Sequence, residues 1–396
     1  MRELFDYASI PVSTDDATTD AELGSGPLHD AVRVLIDGPQ APPGACLAVS
    51  HRGAVSWAAA GLAQAFDDAG PLAEPPPMSI EARTDLGSVT KVIATTSSLL
   101  ALVGRGELGL ERRLWEILPW ARGLPAGAAS LEDLLAHRAG LWEWWPLYLS
   151  ATDPDAALRA AAARPLRYAP GSGRHYSDLG FQLLGGVLAA VTGRDLASAA
   201  DELVLAPLGL RSTRFARPAE GAPVCASSTG DRIERRMIAS GEPYPVQADP
   251  AGFGRWRTHV LVGEISDCNA FHAFGSVAGH AGLFGSARDL LRFGDALLES
   301  LDGTGPLPAA TTRRFLTAGA DPLQGLGFRA WPAASGDAWG HAGFPGVAVA
   351  IVPELGASIA LVTNRLHVAG DPRATEAMWK IALSAAREHC AGAACA

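Results

Sequence analysis

The run ACLAVSH (45–51), the pair Arg52-Gly53 and the run AVSWAAAGLA (54–63) decide the fold. Two apolar runs flanking a short turn are the pattern of a hairpin, so two antiparallel strands are expected here. Toward the other end, DAWGHAG (337–343), VAVAIVPE (347–354) and ASIALVTNRL (357–366) are again short apolar runs, split by Phe344-Pro345-Gly346 and Glu354-Leu355-Gly356. Hairpins at both ends with helical patterns between them imply one antiparallel sheet, of a five-stranded type, assembled from both termini and flanked by terminal helices. The expected class is α+β, of α/β sandwich type, with an all-helical lobe inserted.

Outward from the first hairpin, PLHDAVRVLIDG (27–38) carries Leu28, Val32, Leu35 and Ile36 on one helical stripe, and a last helical stretch begins near Pro372. The Pro-rich DDAGPLAEPPPMSIEA (67–82) reads as a loop. From about 88 to 270 helical spacing dominates, in VTKVIATTSSLLALVGRGEL (89–108), SLEDLLAHRAG (130–140), PDAALRAAAARP (154–165), DLGFQLLGGVLAAVTG (178–193) and DLASAADELVLAPLGL (195–210). The expected division is a polar leader over 1–24, a sheet lobe from 25–85 plus 275–396, and a helical lobe over 86–274, with a site at their interface.

The 396 residues suffice for two lobes, and 48% hydrophobic with 19% charged residues excludes a disordered or fibrous chain. A net charge of −10 leaves no basic footprint for nucleic acid or an anionic membrane, so a small molecule is the expected partner. The acidic start has no charged-then-apolar leader, and no run approaches the roughly 18 to 20 apolar residues that span a bilayer, which points to the cytoplasm. Cys46, Cys225, Cys268, Cys390 and Cys395 form an odd, scattered set, read as reduced thiols. Lys91 and Lys380 are the only lysines, and neither follows the glycine a P-loop requires. G-x-S-x-G, H-E-x-x-H and G-x-G-x-x-G are all missing, so neither metal nor cofactor is expected.

Ser88-Val89-Thr90-Lys91 opens a strongly apolar helix and puts a hydroxyl and an amine three residues apart, on one face. The free N–H groups of a first turn favour the oxyanion formed when Ser88 attacks a carbonyl. Burial among Val92, Ile93 and the leucines after them would lower the lysine pKa and leave a neutral fraction able to accept a proton. A plain helix cap and a snorkelling lysine read the same residues without chemistry. Two further segments add weight. Pro170-Gly171-Ser172-Gly173-Arg174-His175-Tyr176-Ser177-Asp178 presents a phenol and a carboxylate before a helix, and Gly340-His341-Ala342-Gly343-Phe344-Pro345-Gly346 lets a strand approach a ligand backbone-first. Asp178 as a cap, Tyr176 as a packing ring and a plain hairpin are the structural alternatives.

In this order and at these separations, Ser88-x-x-Lys91, Tyr176-Ser177-Asp178 and His341-Ala342-Gly343 resemble the serine β-lactamase and penicillin-binding-protein superfamily, and its class C β-lactamase, esterase and transacylase branch most closely. LEDLLAHRAGL (131–141) and GHAGLFGSARDLLRF (279–293) resemble further stretches of that family. The resemblance implies Ser88 as acylated nucleophile, Lys91 as proton relay, Tyr176 as general base or relay, and the N–H groups of Ser88 and Phe344 as oxyanion hole. Asp178, His341 and Gly343 would touch substrate. Trp142, Trp144 and Trp145 are dense aromatics in one loop that either wall an acyl or acceptor pocket or pack the core of the helical lobe. Asp267, Asn269 and His280 resemble family loop positions that structural hydrogen bonding suits equally. Asp178 stands where the family usually has Asn and can pair with Lys91, raising its pKa; His341 stands where β-lactamases usually have Lys, so a fixed positive charge for a β-lactam carboxylate is missing. The expected enzyme transfers acyl groups from a small ester or amide to water, an amine or an alcohol, in a biosynthetic or metabolic role. β-Lactam hydrolysis and an inactive, ligand-binding relative are the alternatives.

Overall fold

Arg52 and Gly53 both take positive φ, 52° and 86°, as the tightest hairpin turn requires, and they fold strand β1 (Gly44–His51) back on β2 (Ala54–Gly61) with His51 opposite Ala54. The computed structural model describes residues 24–393, so the expected leader, Gly24 apart, and Cys395 lie outside the described residues. From the C-terminal third come β3 (Arg329–Trp331), β4 (Ala338–Gly343), β5 (Val347–Val352) and β6 (Ala357–Thr363). The sheet runs β2-β1-β6-β5-β4-β3, antiparallel throughout, and β1 against β6 joins the two ends of the chain. It has six strands where five were expected. The added strand, β3, is a three-residue edge, too short to show a period of two.

Side chains of a strand alternate between faces, and here both faces are covered. Leu47, Val49, Ile359 and Leu361 point to helices α1 (Pro27–Ile36) and α5 (Thr375–Ala393), where Val32, Leu35, Met378 and Trp379 complete one core. Cys46, Ala48, Ala360 and Val362 point the other way, into the larger core with α2 (Lys91–Gly104), α3 (Asp178–Thr192) and α4 (Ala287–Leu301). The stretch read as helical to residue 270 also contains β-structure, Ala226–Thr229 paired with Val260–Val262, and just outside its two ends Thr84–Asp85 pairs with Phe284–Gly285. Such two- to four-residue strands carry no periodic signal. Among the described residues no single helix is long and apolar enough to cross a membrane.

Candidate active site

The turn that carries Ser88 is fixed from below by Asp85. This buried carboxylate accepts the N–H of Gly87 at 2.9 Å and both the N–H and hydroxyl of Ser266 at 2.7 Å. Gly87 has φ +47°, and a Cβ there would lie 2.4 Å from Pro345 Cδ. Helix α2 begins with a π-helical stretch, Lys91–Thr96, before regular α-helix, a wider winding common at functional sites. Ser88 remains partly exposed at its start, whereas Lys91 is fully buried.

The Lys91 ammonium is surrounded by polar groups. Nζ donates to Ser88 Oγ at 2.8 Å and to the His280 carbonyl at 3.2 Å, and pairs with Asp178 Oδ1 at 2.7 Å. Burial is the largest influence on Lys91 and pushes its pKa down, yet Asp178 and Tyr176 together outweigh it and hold the lysine above its ordinary value. Of the two expectations for Lys91, the pairing with Asp178 prevails over the neutral, desolvated amine: the buried amine keeps its proton because a partly exposed carboxylate lies against it. Tyr176 engages both Lys91 and Ser88 through its hydroxyl, and burial raises its pKa, so it stands as a neutral phenol. Its ring centroid is 5.0 Å from Lys91 Nζ.

Asp178 is the first residue of α3, but the cap is Ser177, whose hydroxyl accepts from Gly180 N at 3.2 Å; the carboxylate is left free for Lys91. The Tyr176 loop is held by His137, a residue quoted within the LEDLLAHRAGL likeness but given no role. His137 takes φ 55°, accepts the Ser177 N–H on Nδ1 at 3.0 Å and sets its ring, tilted by 44°, 4.7 Å from that of Tyr176. Burial keeps it neutral.

From the sheet, β4 brings His341 and Gly343 against the same turn. A Cβ at Gly343 would lie 2.5 Å from the Leu86 carbonyl and 3.5 Å from Ser88 N, so glycine alone permits this approach. Phe344 follows, with its ring at the surface and its carbonyl held by Arg365. Among the described residues, neither the Ser88 nor the Phe344 N–H has an acceptor within the protein. His341 is buried 5.8 Å from the Tyr176 ring; burial, then Lys91, lower its pKa to about 3, so it is neutral.

Ser88, Lys91, Tyr176, Asp178, His341, Gly343 and Phe344 thus converge. Of the tryptophans, Trp144 packs in the core and not on a pocket wall: the residue is 4% exposed. Trp142 and Trp145 are half-buried, edge to face at 5.1 Å. Asn269 bridges Trp145 O and Leu147 N, and Asp267 caps Ala270 and meets His280 Nε2 at 3.2 Å; His280 itself reaches Lys91 through its carbonyl. Tyr244 was not expected here, yet its pKa is raised by burial and then by the nearby Asp178 and Tyr176. It arrives on an irregular loop that carries no motif. Asp231, Cys268 and His272 bring possible ligand atoms within 4.8 Å of one another, but Arg257 and His272 already occupy both Asp231 oxygens, which closes the group as an ion pair.

A family model described as Beta-lactamase matches residues 32–383. An N-acetylmuramyl-L-alanine amidase of Bacillus subtilis (strain 168) is 29% identical over 353 residues, covering 82% of this chain and 78% of its own. A putative D-alanyl-D-alanine carboxypeptidase of Escherichia coli (strain K12) is 29% identical over 336 residues, covering 78% and 74%. Among solved structures, SurE is similar with 26% identity and a TM-score of 0.64, over 91% of this chain and 74% of that one. A class C beta lactamase from Rhodobacter sphaeroides shares the fold at 21% identity and a TM-score of 0.65, over 92% and 99%. With a family match over most of its length and this arrangement around Ser88, the chain belongs to the Beta-lactamase family and is an enzyme of its serine hydrolase and acyltransferase kind.

Proposed function

We propose that the protein cleaves an amide or ester of a small molecule through an ester formed on Ser88, and passes the acyl group to water or to an amine or alcohol. The observation that carries this is the Lys91 ammonium, 2.8 Å from Ser88 Oγ and 2.7 Å from Asp178 Oδ1. As Ser88 attacks the carbonyl, Lys91 passes one of its protons to Asp178, and the amine so freed takes the hydroxyl proton. Asp178 ends as a carboxylic acid, Lys91 remains ammonium, and the negative charge moves to the oxyanion between the N–H groups of Ser88 and Phe344. Each such donor is worth about 3 to 4 kcal/mol in a preorganised site. Collapse breaks the bond to the leaving group, which takes the Tyr176 proton. Tyr176 recovers a proton from Asp178 through Lys91, and the acyl-enzyme carries the starting charges. Deacylation repeats the sequence with the acceptor in place of Ser88.

Amides are favoured as natural substrates because the relatives named above are an amidase and a carboxypeptidase. The neutral His341 offers no cation for a β-lactam carboxylate, which supports a metabolic or biosynthetic substrate over an antibiotic. The inactive alternative has one observation in its favour, the same Lys91–Asp178 ion pair read as a lock. Rapid mixing with p-nitrophenyl acetate separates the two. A burst of p-nitrophenol equal to the enzyme concentration, lost in Ser88→Ala, is the expected result; no release above the Ser88→Ala background would leave only a binding protein.

A further inference from the structure

Tyr176 stands on a stretch, 164–177, that has no helix or strand of its own, yet a proton relay needs its phenol held in one place against Ser88. A single residue grips the chain on both sides of it. The His137 carbonyl accepts the His175 N–H at 2.9 Å, and the His137 Nδ1 accepts the Ser177 N–H at 3.0 Å. The neighbouring Arg138 carbonyl accepts the Gly171 N–H at 2.8 Å. The His137 ring packs on the phenol and on helix α3 together, 4.7 Å from the ring of Tyr176 and 5.2 Å from that of Phe181. It does so at φ 55°, a left-handed backbone that a bulky residue keeps only where its surroundings over-determine it.

The same contacts exclude His137 as a carrier of protons. Because Nδ1 is an acceptor, the proton of the neutral ring sits on Nε2, and that atom is buried without a hydrogen-bond partner. Burial, then the charge of Lys91, hold the ring well below its ordinary pKa. What the loop uses is an acceptor at the Nδ1 position on a left-handed residue. We propose that His137 is a positioning residue for leaving-group protonation, fixing the Tyr176 hydroxyl through the residues on either side of it, and that an imidazole is not itself required. This rests on the acyl-enzyme reading of Ser88 and on the role given there to Tyr176.

The test uses p-nitrophenyl, phenyl and trifluoroethyl acetate, which leave the same acetyl group on Ser88 but need a proton on the departing oxygen least in the first and most in the last. For each, kcat/KM reports acylation. His137→Gly tolerates the positive φ and removes the ring; it is expected to lose about 10²-fold on trifluoroethyl acetate, less than about threefold on p-nitrophenyl acetate and an intermediate factor on phenyl acetate, the grading expected of Tyr176→Phe. His137→Asn puts an oxygen at the Nδ1 position and suits the left-handed region, so it is expected to stay within about threefold of wild type on all three. Adding His137→Gly to Tyr176→Phe is expected to cost less than about twofold more. An equal loss on all three esters in a His137→Gly that melts cooperatively overturns the positioning role, as does a His137→Asn graded like Tyr176→Phe, or losses that add in the double variant. If His137→Gly does not fold, His137→Asn decides: wild-type grading supports the role and steep grading overturns it. A wild type already graded as steeply as Tyr176→Phe overturns the relay and the positioning role together. A wild type that p-nitrophenyl acetate does not acylate on Ser88 overturns the acyl-enzyme reading and this role with it.

Discussion

Lys91 touches Ser88 and Asp178 with a single ammonium, and each contact sets a different measurable. Removing Asp178 would leave an uncompensated buried charge, a cost of roughly 3 to 5 kcal/mol that the lysine can escape by losing its proton. In Asp178→Asn the larger of the two raising influences is gone, Tyr176 alone opposes burial, and the Lys91 pKa falls. The acylation rate of this variant should therefore rise with pH as Lys91 becomes a neutral base, while the wild type shows no such lysine limb through neutral pH. Superimposable profiles would mean that Asp178 does not govern Lys91. Tyr176→Phe separates the leaving groups: p-nitrophenolate departs without a proton and an amine does not, so amide turnover should fall about 10²-fold or more and p-nitrophenyl ester turnover far less. An equal loss on both would assign Tyr176 elsewhere. The serine, lysine, phenol and carboxylate were legible because they are short motifs of chemically distinct residues. The charge state of Lys91 was not, since it depends on a balance between burial and a carboxylate 87 positions away in the chain, known only once distances exist. His137 and Tyr244 escaped for the same reason: each acts by lying near Tyr176, not by any local pattern.

At the level of elements, the site is a turn at the start of α2 pressed against the end of β4. Gly343 sets that distance, because any Cβ would meet the Leu86 carbonyl at 2.5 Å. Gly343→Ala should move the strand outward, cost about 10²-fold in kcat through misplacement of the Phe344 N–H, and change thermal stability by only a few degrees. A fully active Gly343→Ala would remove the strand from the catalytic geometry. The strands β1, β2, β4, β5 and β6 were legible from apolar runs punctuated by Arg-Gly, Phe-Pro-Gly and Glu-Leu-Gly turns. The three-residue β3 and the two-stranded pairs were not, because a strand so short is specified by what it lies beside.

Over the whole molecule, the two ends of the chain are joined into one sheet by pairing β1 with β6, and buried histidines make the protein sensitive to acid. His367 accepts the N–H groups of Ala65 and Phe66 on Nε2 and stacks on the Phe66 ring at 3.9 Å, and burial lowers its pKa to about 3. His341 is lowered to about 3 as well. Between an unfolded value of 6.5 and 3, the unfolded chain binds protons that the folded chain refuses, so stability falls as the pH falls through that window. Each histidine contributes a slope of about 1.4 kcal/mol per pH unit there. Urea unfolding at pH 7, 5.5 and 4.5 should show this decline, and His367→Gln should be less stable at pH 7 yet flatter with pH; an unchanged slope would assign the acid sensitivity to other groups. The joining of both termini in one sheet was legible from two sets of hairpin signals. That the Tyr176 and Phe344 segments meet over Ser88 was legible from their motifs; that the Tyr244 loop joins them was not, because that is decided by packing between segments remote in sequence.

The most direct measurement is intact mass followed by peptide mapping after brief exposure to p-nitrophenyl acetate. One acetyl group per chain, located on the Ser88 hydroxyl and decaying with time or with added acceptor, is the expected result. No adduct, or an adduct that persists in Ser88→Ala, would contradict an acyl-enzyme formed at that serine.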